Sequence, residues 1–178
     1  MILKVAIILV GAIIILIALV FLVGLLLPQN HTAKRTARFG RPAPEIWDAI
    51  NDYPAQVKWR TGIREMKRLE DRDGHEIWKE VRGRGDSITY MVIEREPPRM
   101  LKSKIINNRQ FGGTWTWVIA PDGEDPGGAC TLTITEDGEI YNPIFRVVAK
   151  FIMGYTGVMT QYLTDLGRHL DAGAQFTD

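Results

Sequence analysis

The chain has 178 residues and sets 22 Lys and Arg against 21 Asp and Glu, a balance that excludes the broad cationic surface a nucleic-acid binder depends on. One cysteine, Cys130, rules out an intrachain disulfide and a thiolate metal cage, and reads as a small buried residue. The length suits one globular domain with its own core plus an appended element.

The appended element comes first. From Val5 to Leu27 the chain carries no charge and consists mostly of Ile, Leu, Val and Ala. About 20 such residues cross the hydrocarbon core of a bilayer as a helix, so residues 1–28 read as a single-pass transmembrane anchor. A cleaved signal peptide would have an apolar region of about 7–15 residues ending in a small-x-small site. Here the run is longer, and Leu25-Leu26-Leu27-Pro28-Gln29 offers no such site. Gly11 and Gly24 are too far apart for a close-packed helix-pairing motif. Lys34, Arg35, Arg38 and Arg41 outnumber Lys4 and the terminal amine on the other side, which leans the soluble domain toward the cytoplasm.

Residues 29–31 read as a polar linker and residues 32–178 as the soluble domain. Thr32 to Phe39 fits a first strand, closed by Gly40. Pro42 and Pro44 suit a helix entrance, and Glu45 to Ile50 places Ile46, Trp47 and Ile50 on one face. Asn51-Asp52-Tyr53-Pro54 breaks that helix, and Ala55 to Trp59 allows one further turn.

Six strands follow, at Gly62–Glu70, His75–Arg82, Ser87–Glu96, Met100–Asn107, Thr114–Ala120 and Ala129–Glu136. They are separated by turn signals: Asp71-Arg72-Asp73-Gly74, Gly83-Arg84-Gly85-Asp86, Pro97-Pro98, Gly112-Gly113 and Pro121-Asp122-Gly123. Alternation puts Trp115, Trp117 and Ile119 on one face of their strand, and Cys130, Leu132 and Ile134 on one face of theirs. Last, Phe145, Val148, Ile152, Tyr155, Met159, Tyr162, Leu166 and Leu170 recur every three or four residues, predicting one amphipathic helix from Asn142 to Asp171 of about 45 Å. A greasy sheet face and a greasy helix face satisfy each other, giving an α+β fold in which an antiparallel sheet curls around its last helix.

The string Arg41-Pro42-Ala43-Pro44-Glu45-Ile46-Trp47-Asp48-Ala49-Ile50-Asn51-Asp52-Tyr53, with Trp59 shortly after, resembles the opening of the SRPBCC superfamily of polyketide cyclases/dehydrases and lipid-transport proteins. That group includes START-related lipid-transfer domains and coenzyme Q-binding proteins. Gly112-Gly113-Thr114-Trp115-Thr116-Trp117, then Thr131-Leu132-Thr133-Ile134-Thr135-Glu136 and a long helix, is similar to its closing half. The resemblance implies a helix-grip fold with a hydrophobic cavity between sheet and helix. It carries no particular activity, because members range from carriers to cyclases.

The residues placed to line such a cavity are Trp59, Tyr90, Trp115, Trp117, Leu132, Ile134, Phe151, Tyr155 and Met159. The same residues would also fill an ordinary packed core. Gly154 and Gly157 read as places where the last helix leaves room or bends. His31, His75 and His169 fall in a linker, a strand start and a helix end without metal-ligand spacing, and read as solvated. Glu136 shares strand parity with Leu132 and Ile134, which points it into the cavity near Tyr155, whereas a position at the strand end leaves it in solvent beside Asp137 and Glu139. The chain has no glycine-rich phosphate loop before a helix and no Gly-x-Ser-x-Gly elbow, and it implies no cofactor.

Three functions fit these readings. The first is a membrane-tethered domain that binds a lipid, quinone or other small hydrophobic ligand, with the lipid bilayer as its partner and no nucleic acid. The second is an enzyme of the cyclase or dehydratase kind using Glu136, Tyr90 or Arg60. The third is an interaction module with a filled interior.

Overall fold

The computed structural model describes residues 2–123 and 128–177; residues 1 and 178, which fall within the anchor and domain ranges above, and 124–127 lie outside the described residues. Helix α1 (Ile2–Leu26) carries the uncharged run, exposes apolar side chains along its length, and is long and apolar enough to cross a membrane. Strand β1 (Asn30–Phe39) follows after three residues. Asn30 and His31, read from sequence as linker, therefore belong to the sheet, where they oppose Glu139 and Gly138.

Helix α2 (Ala43–Asn51) begins at the expected prolines and buries Ile46, Trp47 and Ile50, and the single turn α3 (Gln56–Trp59) completes the entrance. Then come β2 (Ile63–Arg72), β3 (His75–Arg82), β4 (Ser87–Glu96), β5 (Met100–Ile106), β6 (Phe111–Pro121) and β7 (Cys130–Ile140). Asp73 and Gly74 at the β2–β3 turn both have positive φ, as the Asp-Gly pair of a tight hairpin requires. Gly83–Gly85 forms a short 3-10 turn between β3 and β4. A short strand with no strong sequence signal, β8 (Gln175–Thr177), pairs with β1. The result is one curved antiparallel sheet of eight strands in the order β2-β3-β4-β5-β6-β7-β1-β8. Bulges in β2 and β4 add local bend and twist to the curling sheet.

The C-terminal segment departs from the prediction of one long helix. It consists of α4 (Pro143–Val148), a π-helical turn over Ala149–Met153, an interruption, and α5 (Gly157–His169). Asn142 caps α4 by accepting hydrogen bonds from the backbone N–H groups of Ile144 and Phe145 at 2.9 and 3.2 Å. Gly154, with φ 70° and ψ 175°, ends the π turn in a conformation open to glycine and costly for other residues. Helical spacing of apolar residues continues across Gly154, so periodicity alone does not reveal the break.

The core lies between one end of the sheet's concave face and α5. Phe39, Ile119, Leu132 and Ile134 of the sheet, Ile46 and Ile50 of α2, and Met159, Leu163 and Leu166 of α5 are all essentially solvent-free. Cys130 joins this core, and burial pushes its thiol up to about 11, so it behaves as the small apolar residue expected. Asp165, also buried, ties α5 to the loop before β2. It accepts from the Thr61 N–H at 2.7 Å, the Thr61 hydroxyl at 3.0 Å, Gln161 at 2.9 Å and Arg168 at 3.0 Å.

At the other side, α4 packs against α1. Gly24 is buried there, and a β-carbon at that position would fall 2.0 Å from the Pro143 carbonyl oxygen. Arg146 reaches over the junction, donating to the carbonyls of Gly24 (3.3 Å), Leu27 (3.4 Å), Ile140 (2.7 Å) and Tyr141 (3.1 Å).

Replacing Asp165, a buried carboxylate that accepts from Thr61, Gln161 and Arg168, with Ala removes this tie and is expected to destabilise the domain by about 2–3 kcal/mol. Urea unfolding followed by tryptophan fluorescence in detergent checks this, with the exposed substitution Glu70→Ala as the neutral control.

Candidate ligand cavity

The concave face is wider than α5 can cover, and the uncovered part encloses a cavity of about 420 Å³. Its walls come from α2 and α3, from β1 and β3 to β7, and from the α4–α5 segment. The apolar wall includes Ile88, Leu101, Ile105, Phe111, Ile140 and Phe145 together with the paired indoles of Trp115 and Trp117, whose rings lie 5.7 Å apart. Tyr155, Gly154, Met153 and Val158 close the helical side.

Four of the nine residues placed here from sequence do line the cavity: Tyr90, Trp115, Trp117 and Tyr155. The other five lie elsewhere. Leu132 and Ile134 of β7 share the inward parity and Met159 lies on α5, but all three are fully buried in the core, because α5 lies directly over that part of the sheet. Trp59 packs edge-on to Tyr162 and stacks on His169, each at 5.5 Å. Phe151 falls before the Gly154 break and is 64% exposed.

Other residues enter that the pattern did not single out. His31 is not solvated: its side chain is 13% exposed, its ring stacks on Tyr155 at 4.0 Å, and it lines the cavity. Gly138 opposite makes this possible, since a β-carbon there would lie 2.4 Å from the imidazole. Glu136 sits within β7 rather than at its end, opposite both Ala33 and Trp115, with its carboxylate 3.9 Å from His31 and little exposed. At 3.9 Å the two lie beyond hydrogen-bond reach, and burial raises the Glu136 pKa and lowers that of His31, drawing both toward their neutral forms. His75 bonds the Val92 carbonyl through Nδ1 at 3.0 Å, and His169 ends α5. Among the described residues no group of His, Cys, Asp and Glu is placed to hold a metal ion.

One end of the cavity is polar. Arg60 donates to Glu80 at 2.7 Å and to Gln56 at 2.9 Å, and its guanidinium lies over the Tyr162 ring at 4.9 Å. Arg82 takes the other oxygen of Glu80 at 2.6 Å. Burial alone would raise the Glu80 pKa, but the two guanidiniums hold it below the ordinary carboxylate value. The pair is thus mutually satisfied, and Glu80 is not a free base. Burial also raises the hydroxyl pKa values of Tyr53, Tyr90 and Tyr162, keeping them protonated. Three buried polar atoms of lining residues have no well-formed hydrogen bond within the protein: Tyr53 Oη, Ser103 Oγ and Trp117 Nε1, although Arg95 and Ser103 lie near enough to Tyr53, and Trp117 near enough to Tyr162, to temper the pKa values of those tyrosines. Groups of this kind lose about 1–3 kcal/mol each when left without a partner, so a polar atom on a ligand gains by meeting them.

The Glu80 pairing has a pH consequence. Its folded pKa lies below the ordinary 4.5, so its stabilising contribution is complete above that pH and is lost as pH falls through the folded value. Glu80→Gln, which strands buried Arg60, is expected to cost about 3–5 kcal/mol at neutral pH, with the gap to wild type narrowing below pH 4.5. Unfolding midpoints measured across that range check both the size and the sign.

The fold has solved counterparts at low sequence identity. Norcoclaurine synthase from Thalictrum flavum, in complex with dopamine and hydroxybenzaldehyde, is 11% identical with a TM-score of 0.62, covering 79% of this chain and 86% of that one. The Zhui aromatase/cyclase from Streptomyces sp. R1128 is 12% identical with a TM-score of 0.62, covering 80% and 94%. A START superfamily protein from Mycobacterium smegmatis is 16% identical with a TM-score of 0.55, covering 79% and 94%. At such identities the likeness is one of fold. No curated protein sequence matches the chain. A family model described as polyketide cyclase / dehydrase and lipid transport matches residues 30–171, and the chain belongs to that family.

Proposed function

We propose that the chain binds a small, mainly apolar molecule carrying a hydrogen-bonding group, and does so at the surface of the bilayer to which α1 tethers it. The observation that carries the reading is the cavity itself: apolar and aromatic walls around unfilled space, with Tyr53 Oη, Ser103 Oγ and Trp117 Nε1 at its lining lacking a well-formed hydrogen bond. Its volume falls in the range of small-molecule sites, about 300–1,000 Å³. Each 100 Å² of apolar ligand surface removed from water gains about 2.5 kcal/mol. Lipids and quinones combine an apolar body with carbonyl or hydroxyl groups and fit this chemistry. In this reading residues 1–28 are the anchor and the domain from residue 32 is the binding unit. The excess of Lys and Arg after the span supports a cytoplasmic domain.

A second reading, an enzyme of the cyclase or dehydratase kind, is favoured by one observation: His31 and Glu136 come together beside the cavity, one able to take a proton and the other to give one. The carrier reading asks nothing of that pair. Glu136→Gln leaves ligand affinity intact under the first reading and removes turnover of a bound substrate under the second.

Half-buried Ile105 faces the cavity from β5, so Ile105→Trp fills space without disturbing the core. The expected result is at least a tenfold loss of affinity for a short-chain ubiquinone, read by quenching of the cavity tryptophans, with the unfolding midpoint retained. Equal affinity in the variant counts against the cavity as the binding site.

A further inference from the structure

We infer that the Phe151-Ile152-Met153 turn between α4 and α5 enters the lipid of the same bilayer that α1 spans, and that the cavity opens there, so that ligand passes between membrane and protein without crossing water. This rests on the tethered-carrier reading above and adds the surface through which it works.

The turn is a conspicuous exception to the burial pattern of the domain. Phe151, Ile152 and Met153 are 64%, 77% and 62% exposed, and Phe145 and Val158 beside them are 40% and 48% exposed. A contiguous apolar patch of this kind marks an interaction surface. The chain itself indicates which one. Near the end of α1, Gly24 is buried, and Val20 within the helix and Leu27 just after it, at helical spacing, are half-buried, while the side chains around them are exposed; this stripe includes the Gly24 contact with Pro143 of α4. Gly24 lies inside the uncharged run, so α4 starts at the depth where the spanning helix leaves the hydrocarbon. From Pro143 to Phe151 a helical path advances about 12 Å at most, which keeps the turn near the headgroup layer.

The junction also fixes orientation. Arg146 satisfies the Gly24 and Leu27 carbonyls, which the end of α1 leaves without intrahelical partners, and holds them to Ile140 and Tyr141 at the end of β7. The domain is thereby docked on its anchor instead of swinging from a free linker. Lys150, with Nζ 5.7 Å from the centre of the Phe151 ring, supplies a cation beside the apolar tip, as suits a side chain reaching lipid phosphates. Finally, Phe145, Met153 and Val158 belong both to the exposed patch and to the cavity wall, so the patch surrounds the opening.

The test uses the full chain reconstituted in phosphatidylcholine/phosphatidylglycerol vesicles. Cys130 is solvent-free, so an environment-sensitive thiol dye on Ile152→Cys reports on the turn, and the same dye on Glu70→Cys reports on an exposed strand site. The expected result is blue-shifted emission at 152, quenched at least twofold by lipids spin-labelled near the headgroup, with neither effect at 70. In addition, the Phe151→Asp/Ile152→Asp double variant should slow ubiquinone exchange with vesicles at least tenfold while its affinity in detergent stays unchanged. Water-like emission at 152 in a chain that resists alkaline carbonate extraction overturns the inference and leaves the tether standing. A blue shift without lipid quenching, as a second copy covering the turn would give, overturns it too. Removal of the chain by carbonate overturns the tether reading and the inference together.

Discussion

The structure turns on how little of the sheet α5 covers. Its thirteen residues make a rod of about 20 Å, whereas eight strands at about 4.8 Å spacing present a curved face of more than 30 Å. Where α5 lies on the sheet, Met159, Leu163 and Leu166 interlock with Ile119, Leu132 and Ile134 and exclude solvent. Beyond it, the chain turns away at Gly154, and the space between the remaining strands and the α4–α5 segment stays open. Core and cavity are thus two parts of one concave surface, divided by the end of a helix.

Opening such a space inside a small domain exposes groups that would otherwise be packed or paired. Charge is managed by mutual satisfaction: Glu80 is clasped by Arg60 and Arg82, which costs the pair its freedom to do chemistry but keeps a buried carboxylate ionised. The neutral polar groups are treated differently. Tyr53, Ser103 and Trp117 lack well-formed hydrogen bonds at the cavity lining, and in the proposed binding role they would favour a ligand with a polar group over a bare hydrocarbon.

The anchor junction adds a geometric constraint. A flexible linker would raise only the local concentration of lipid around the domain. The contact of Gly24 with Pro143 and the span of Arg146 do more, since they set the start of α4 at a defined position relative to α1. At the end of α1, where backbone carbonyls lack intrahelical partners, Arg146 donates to those of Gly24 and Leu27.

Much of this was legible without coordinates. Uncharged length alone marks α1, and Gly, Pro and Asp-Gly punctuation places β3 and β4 at their observed limits. Strand alternation correctly puts Trp115 and Trp117 on the inward face, because the period of two is a local property of extended backbone. The sequence could not separate cavity from core, since Leu132 and Trp115 have the same parity and only the reach of α5 decides which is covered. Nor could apolar spacing show the break at Gly154, for residues on both sides keep the helical rhythm whether or not the backbone is continuous. His31 is the clearest case: its place depends on the register that sets it opposite Gly138, a pairing between residues far apart in the chain. Local patterning by itself determined most of the elements, their order and their greasy faces, but not β8 or the break in the last helix; tertiary packing alone decided where those faces fail to meet, because an unfilled volume is a property of surfaces brought together and not of any one segment.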